Sequence, residues 1–173
     1  MAKEVIGIAG CGAMGEPIAT RLLTAGFEVW VHDVRPRSDF GAIAAYMIED
    51  AVEFAGRCNI VISVVRDVSQ TKSLLFGKAQ GIVQGDSPPE VLVISSTVSP
   101  RFIRQLLTGV PTQTSLVDAA MSGAPYRARE GTLSFMIGGS GAVIDRLIPI
   151  LEVVGTAFFV WVTLVWDDNQ GAK

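Results

Sequence analysis

Short apolar runs alternate along the chain with stretches whose apolar residues recur at helical spacing. Six of the runs have the composition of strands: residues 5–9, 28–32, 59–65, 91–94, 116–117 and 132–137. The third run, NIVISVV, is almost continuously apolar and β-branched, which is typical of a strand buried on both faces of a parallel sheet. Strands separated by helical stretches indicate βαβ units, so the pattern predicts a doubly wound α/β fold with a mostly parallel sheet.

The helical stretches begin and end at residues that commonly cap helices. Apolar positions in residues 14–24 have helical spacing, and Gly26 follows where a helix would end. Ser99 and Pro100 predict the start of another helix, with the serine as N-cap and the proline at the first helical position. Residues 85–90 are predicted to form a loop rather than a domain boundary.

Residues 147–166 are apolar over a length that would suit a membrane-spanning helix. However, Pro149, Glu152 and Gly155 interrupt the stretch, and the residues before Gly155 have helical spacing while those after it are aromatic and β-branched. The pattern therefore favours a helix followed by a buried strand at 157–162, and a membrane helix is the alternative.

Composition narrows the class of protein. The chain has 173 residues, 49% of them apolar and 18% charged, with a net charge of −3. These values exclude intrinsic disorder, argue against a nucleic-acid partner and predict one domain over residues 1–173. Two cysteines and one histidine lack the spacing of a metal site, and the N-terminus lacks the pattern of a signal peptide, so we expect no metal and a cytoplasmic location.

Residues 10–15 (GCGAMG) fit the pattern G-x-G-x-x-G between the first predicted strand and the first predicted helix. The pattern alone is weak, but in this position glycines permit a tight turn and close approach to a pyrophosphate. The helix N-terminus would present free N–H groups to the phosphates. The sequence therefore predicts a Rossmann-type dinucleotide site, with an ordinary strand-to-helix turn as the alternative.

The residues after the second predicted strand bear on which dinucleotide is bound. A carboxylate at Asp33 can accept hydrogen bonds from a ribose 2′-OH and would repel a 2′-phosphate, which favours NAD. Arg35 and Arg37 lie immediately beyond it and could bind a 2′-phosphate, which leaves NADP open. Both arginines could equally be solvated loop residues.

Five segments together resemble one protein family. They are GCGAMGEP at 10–17, STVSP at 96–100, DAAMSGA at 118–124, GTLSFMIGG at 131–139 and NQGAK at 169–173. In this order they resemble motifs of the β-hydroxyacid dehydrogenase family, which includes 3-hydroxyisobutyrate dehydrogenases and, more distantly, 6-phosphogluconate dehydrogenases. The resemblance covers almost the whole chain. It implies that 118–124 is a substrate loop and 131–139 a hairpin.

The resemblance also implies residues that hold the cofactor. The adenosine half would be held by Gly10, Gly12, Ala13, Met14, Gly15 and Asp33. Val65 and Arg66 match positions that line the nucleotide cleft, and Thr97 matches a residue near the nicotinamide ribose and the substrate.

Three further positions match the part of the family site that meets the substrate. Ser122 and Gly123 match residues that hydrogen-bond a small hydroxyacid or semialdehyde, and Lys173 matches the general acid/base. A lysine whose pKa is lowered by partial burial can take the hydroxyl proton while the cofactor takes the hydride.

The family continues into an all-helical domain that has no counterpart in this sequence, whether by truncation or by nature. Two functions therefore stay open: the NAD(P)-binding domain of a hydroxyacid dehydrogenase, or a non-catalytic dinucleotide-binding or assembly module. A domain that binds another phosphate ligand is a third alternative. Phe158, Phe159, Trp161 and Trp166 predict an exposed apolar patch near the C-terminal end, through which the chain self-associates.

Overall fold

A computed structural model describes residues 4–78 and 81–162, apart from the side chain of Val162. Its centre is one seven-stranded sheet with the order β2-β1-β3-β4-β5-β6-β7. The strands are β1 (Val5–Ala9), β2 (Glu28–His32), β3 (Ile60–Ser63), β4 (Val91–Ile94), β5 (Ser115–Ser122), β6 (Leu133–Gly139) and β7 (Gly155–Val162). The helices are α1 (Gly15–Thr24), α2 (Ala51–Gly56), α3 (Val68–Phe76), α4 (Pro100–Leu107), α5 (Pro125–Glu130) and α6 (Gly141–Leu151).

The predicted doubly wound, mostly parallel sheet is confirmed. The strands from β2 to β5 are all parallel, β6 runs antiparallel to β5, and β7 runs parallel to β6. Helices cover the sheet on both sides: α1, α5 and α6 contribute buried residues to one apolar cluster, while α2, α3 and α4 contribute to the other. All four residues of β3 are buried, as its continuous apolar run predicts.

Two expectations about the later strands are wrong. The predicted substrate loop at 118–124 is strand as far as Ser122, because residues 118–122 pair with β6. The segment 131–139 is not a hairpin. Gly131, with a φ of +72°, ends α5, and residues 133–139 then form the single strand β6, whose partner β5 precedes the helix.

The apolar stretch after residue 146 is a helix followed by a strand, as predicted, but the prediction that the strand is buried is wrong: β7 is the edge of the sheet, and Phe159, Val160 and Trp161 are exposed. Helix α6 continues past Pro149 to Leu151, and β7 begins at Gly155. Within the described ranges, no helix is both long and apolar enough to cross a membrane. That residues 1–173 form one domain stays a prediction.

The connection between β2 and α2 contains two 3-10 turns, Arg37–Asp39 and Ala42–Tyr46, instead of a further strand. Met47 forms an isolated parallel bridge with Val31 on the outer side of β2. This bridge covers part of that edge and positions the loop beside the carboxyl end of β2, where the candidate site lies.

Candidate functional site

The strand order reverses direction at β1. The chain passes from β1 to β2 on one side and then crosses to β3 on the other, so a crevice opens between the carboxyl ends of β1 and β3. In open α/β sheets such a topological switch point is where ligands bind. Residues 10–15, the glycine turn, follow β1 directly, and Val65 and Arg66 follow β3, so the fold brings both predicted segments to this crevice.

The backbone of the glycine turn requires glycine at two positions. Gly10 has a φ of +97°, and a Cβ built on it would lie 2.6 Å from the carbonyl oxygen of Val64. A Cβ on Gly15 would overlap the carbonyl oxygen of Gly10. These two glycines are therefore needed for the chain to fold into the turn between β1 and α1, whether or not a ligand binds.

Gly12 differs from its two neighbours in the motif. It is exposed, its φ is not positive, and a Cβ built on it would meet no described atom within 4 Å. No contact within the described residues therefore requires glycine there. The N-terminus of α1 lies beside it, because the N–H of Glu16 donates to the carbonyl of Gly12. Ala13 is exposed and Met14 half-buried at the same helix start.

Asp33 lies at the end of β2 against the glycine turn. Its Oδ2 accepts a hydrogen bond from the N–H of Cys11 at 2.7 Å, and its side chain is only 9% exposed. Burial alone would raise the pKa of Asp33, but hydrogen bonds from Arg35 and from the Cys11 N–H outweigh that effect and hold the pKa below its usual value. Asp33 is therefore a carboxylate at neutral pH that fixes the glycine turn.

Arg35 occupies the remaining acceptor sites of Asp33. Its backbone N–H and its Nε each donate to Oδ1 at 3.0 Å, and its Nη2 donates to Oδ2 at 3.2 Å. The guanidinium also lies 4.5 Å from the ring centroid of Phe40. Arg35 is therefore not simply a solvated loop residue. A ribose hydroxyl can reach the carboxylate only if Arg35 moves, and its side chain is 47% exposed. Arg37 instead donates to the carbonyl of Met47.

The ends of β3 and β4 supply the far side of the crevice. Val65 is half-buried, and its Cγ1 would lie 3.1 Å from a Cβ on Gly10. Its carbonyl accepts a 2.6 Å hydrogen bond from the hydroxyl of Ser96, which ties the two strand ends together. Arg66 and Thr97 are both exposed beyond them.

The predicted substrate residues lie two strands away from β3. Ser122 ends β5 and is exposed, and Gly123 follows with a φ of +143°. A Cβ on Gly123 would lie 2.8 Å from Cδ2 of Leu133, so conformation and packing both favour glycine. The predicted catalytic residue Lys173 lies outside the described residues.

Asp118 is the first residue of the segment 118–124 that resembles a family motif. Nothing in the sequence predicts that its carboxyl group is buried. Asp118 pairs with Ile94 of β4 and Gly138 of β6, and its Oδ1 has no hydrogen-bond partner among the described residues. Burial raises its pKa from 3.8 to about 6. The hydroxyls of Ser63, which ends β3, and of Ser95, which follows β4, are also buried without a partner among the described residues.

Other chemistries have less support in the described residues. Cys11 is buried beside Asp33, and burial, with the neighbouring carboxylate, raises the pKa of its thiol to about 12, so it is not a nucleophile at neutral pH. In the described ranges, no group of three metal-ligating side chains is found.

Comparison with known proteins gives a consistent result. Residues 5–163 match a family described as the NAD binding domain of 6-phosphogluconate dehydrogenase. The chain is 34% identical to 2-hydroxy-3-oxopropionate reductase of Escherichia coli, over 96% of this chain and 56% of that protein. It is 32% identical to 3-hydroxyisobutyrate dehydrogenase of Pseudomonas aeruginosa, over 89% of this chain and 52% of that protein.

Solved structures agree with the fold. A crystal structure named 3-hydroxyisobutyrate dehydrogenase, from Salmonella typhimurium, superimposes with a TM-score of 0.79 at 27% identity. That match covers 91% of this chain and 55% of the other. The chain thus spans about half the length of the curated relatives it matches.

Proposed function

The chain belongs to the β-hydroxyacid dehydrogenase family, through its 6-phosphogluconate dehydrogenase-type NAD-binding domain, and on that basis we propose that it binds NAD(P)(H) for hydride exchange with a small 3-hydroxyacid or semialdehyde. The observation that carries the proposal is the open space at Gly12. A glycine that the chain itself does not require, beside a helix N-terminus at the switch point, is explained by close approach of a pyrophosphate.

The described residues fit the adenosine and pyrophosphate half of the cofactor. Gly10, Gly12 and the start of α1 would hold the pyrophosphate, and Asp33 would hold the adenosine ribose. We propose that NAD is favoured, because the ionised Asp33 repels a 2′-phosphate. Arg35 can counter that preference, because the same movement that frees Asp33 also frees a guanidinium for a phosphate.

Residues of the chain would orient the substrate and transfer the proton. The bound nicotinamide supplies the hydride chemistry. The hydroxyl of Ser122 and the N–H of Gly123 would orient the substrate by donating hydrogen bonds, with Thr97 nearby on the adjacent strand end. Lys173 would accept the hydroxyl proton in oxidation and return it in reduction, which requires a lysine pKa lowered by its surroundings.

A second candidate function, a non-catalytic binding or assembly module, is favoured by the exposed face of the late strands. Met136, Phe159 and Trp161 are 38%, 55% and 60% exposed on β6 and β7. Met136 is paired with Phe159, and the neighbouring Gly138 with Trp161, so these side chains lie on one face of the sheet. Phe158, in contrast, is half-buried against Phe135, which corrects its predicted place in the patch, and Trp166 lies outside the described residues.

We propose that a second copy of the chain pairs with β7 at the edge of this part of the sheet. Strand β7 is the edge of the sheet, is eight residues long and contains neither a charged residue nor a proline. Natural edge strands are normally protected by such residues, because an unprotected edge pairs with another strand. Two β7 strands related by a two-fold axis would extend one sheet into the other. The cytoplasm remains the proposed compartment, because Cys11 and Cys58 are both free and buried.

An assay separates the two candidate functions. NADH binding and NAD-linked oxidation of 3-hydroxyisobutyrate, glycerate and threonate are measured for the unmodified chain, Lys173→Met and the surface control Lys78→Met. Binding with turnover that is lost only in Lys173→Met supports the dehydrogenase. Binding without turnover supports the module only if turnover also stays absent after the helical domain of a family member is fused behind Lys173, whereas activity that appears on fusion supports the dehydrogenase. Absence of NADH binding at millimolar concentration contradicts both.

A further inference from the structure

The side chain of Arg127 lies against the turn that ends β5. A Cβ built on Gly123 would lie 3.3 Å from Cδ and 3.4 Å from Cβ of Arg127, so the aliphatic stem runs past the Gly123 backbone. The root of the stem is fixed, because the N–H of Arg127 donates to Ala124 and its carbonyl accepts from Thr132, both at 2.9 Å. Arg127 therefore holds a positive charge beside the Ser122–Gly123 turn.

The guanidinium of Arg127 has only a neutral partner in the described part of the chain. Its Nε donates to the hydroxyl of Tyr126 at 3.2 Å, and no described carboxylate lies within ion-pair distance of it. Both side chains are exposed. The tyrosine contact engages Nε, and the two terminal nitrogens have no hydrogen-bond partner among the described residues, so they remain available to a ligand. Two such N–H groups match the two oxygens of a carboxylate.

We propose that Arg127 binds the carboxylate of the substrate at the Ser122–Gly123 turn and makes the site selective for anions. This inference rests on the proposed function, which supplies the substrate class. Ser122 and the Gly123 N–H are neutral donors that would accept an amide or an ester almost as well as an acid. A guanidinium adds charge-assisted hydrogen bonds that only an anion can return, so Arg127 separates hydroxyacids from their uncharged analogues.

The test is a titration of the full chain, labelled with ¹⁵N, with glycerate and with its uncharged analogue glyceramide. Glycerate is expected to shift the amide signals of Ser122 and Gly123 and the Nε–H signal of Arg127, and glyceramide to shift them far less. Arg127→Gln should weaken glycerate binding by about tenfold or more, while glyceramide binding stays unchanged. Arg127→Lys should recover part of the lost glycerate affinity, because the lysine ammonium keeps the positive charge but cannot donate two parallel hydrogen bonds to the carboxylate.

Arg129→Gln is the matched control, because it removes the same charge from an exposed position on the same helix. Equal glycerate affinity in the unmodified chain and Arg127→Gln would overturn the role of Arg127 and leave the proposed function intact. A loss as large in Arg129→Gln would overturn it too, since the effect would then be that of net charge. Shifts with NADH but none with glycerate would also overturn it and favour the non-catalytic module. A chain that responds to neither ligand would contradict the proposed function itself.

Discussion

The two ends of the sheet differ in how many of their polar groups find hydrogen-bond partners, and how many of their apolar side chains are covered, within the described chain. Around the glycine turn, both oxygens of Asp33 accept hydrogen bonds, and the N–H of Gly10 donates to the carbonyl of His32 at 2.8 Å. Along β5, β6 and β7, Asp118 has an unpaired buried oxygen and Phe159 and Trp161 are more than half exposed. The first region is pre-organised by its own residues, whereas the second has groups whose partners are not among the described residues.

This difference has a physical consequence for function. The fixed glycine turn can bind a pyrophosphate with little reorganisation, which favours affinity, whereas a ribose contact at Asp33 requires Arg35 to move. A buried unpaired carboxyl and an exposed aromatic face both cost free energy until something covers or pairs them. We therefore propose that the cofactor binds in the first region, and that substrate selection and association belong to the second.

The largest effect is expected inside the first region. Gly15→Val should destabilise the fold by about 3 kcal/mol or more, because the new side chain overlaps the Gly10 carbonyl and forces the turn apart. The free energy of unfolding is measured by chemical denaturation. Gly12→Val is the control with open space, and equal destabilisation of the two variants would contradict the different roles of these glycines.

A second variant tests the free-energy cost of the desolvated Asp118 carboxylate in β5. The raised pKa of Asp118, about 6 against 3.8 in the unfolded chain, means that the native state prefers the protonated acid. Stability should therefore fall as the pH rises from about 4 to about 6, on the order of 1–3 kcal/mol once partial exposure is allowed for. Asp118→Asn should remove this loss and be the more stable protein at pH 7.

The control for this pH dependence is Asp145→Asn, an exposed aspartate on α6. Denaturation midpoints of all three proteins are compared between pH 4 and pH 7.5. A slope that survives in Asp118→Asn would show that another group causes it.

Cofactor choice tests the network at Asp33 in two opposite directions. Asp33→Ala should narrow the preference for NADH over NADPH by about tenfold, because the repulsion of a 2′-phosphate is lost. Arg35→Ala should widen it, because Asp33 is then free for a ribose hydroxyl and no guanidinium remains for a phosphate. The dissociation constants of NADH and NADPH are measured by calorimetry. If their ratio is unchanged in both variants, Asp33 does not contact the adenosine ribose.

The smallest effect is expected at the sheet edge. Phe159→Lys should weaken self-association severalfold, because it introduces a charge on the apolar face of β7. Sedimentation equilibrium measures the change, with Tyr46→Lys as an aromatic-to-lysine control at another exposed position. A strictly monomeric unmodified chain at high concentration would contradict the proposed association.

The sequence predicts the early half of the fold well and the late half less well, for local reasons. The strands β2 and β4 begin and end at the predicted residues, because polar residues and turns flank them on both sides. Residues 118–122 lack the strong strand pattern of those runs, and only their pairing with β6 makes them a strand. Strand β6 runs antiparallel to β5 because the short helix α5 connects the two strands. The interpretation of residues 131–139 as a hairpin does not predict this helix.

The same contrast holds for the site residues. The positions of Gly10, Gly12 and Asp33 follow from the chain order of strand, turn and helix, so the sequence predicts them. The pairing of Arg35 with Asp33 and the burial of Asp118 depend on packing between elements and carry no signal in spacing. Arg127 was not predicted, although an arginine four residues after Gly123 was a usable signal.

The central claim is that the glycine turn binds the cofactor, and one calorimetric titration tests it most directly. NADH is titrated into the unmodified chain and into Gly12→Val, and thermal unfolding of both is recorded beside it. We predict micromolar-range binding by the unmodified chain and a loss of binding in Gly12→Val, with unchanged stability, because the valine fills space that only the pyrophosphate needs. Equal affinity in the two proteins, or no binding by the unmodified chain at millimolar NADH, would contradict the claim.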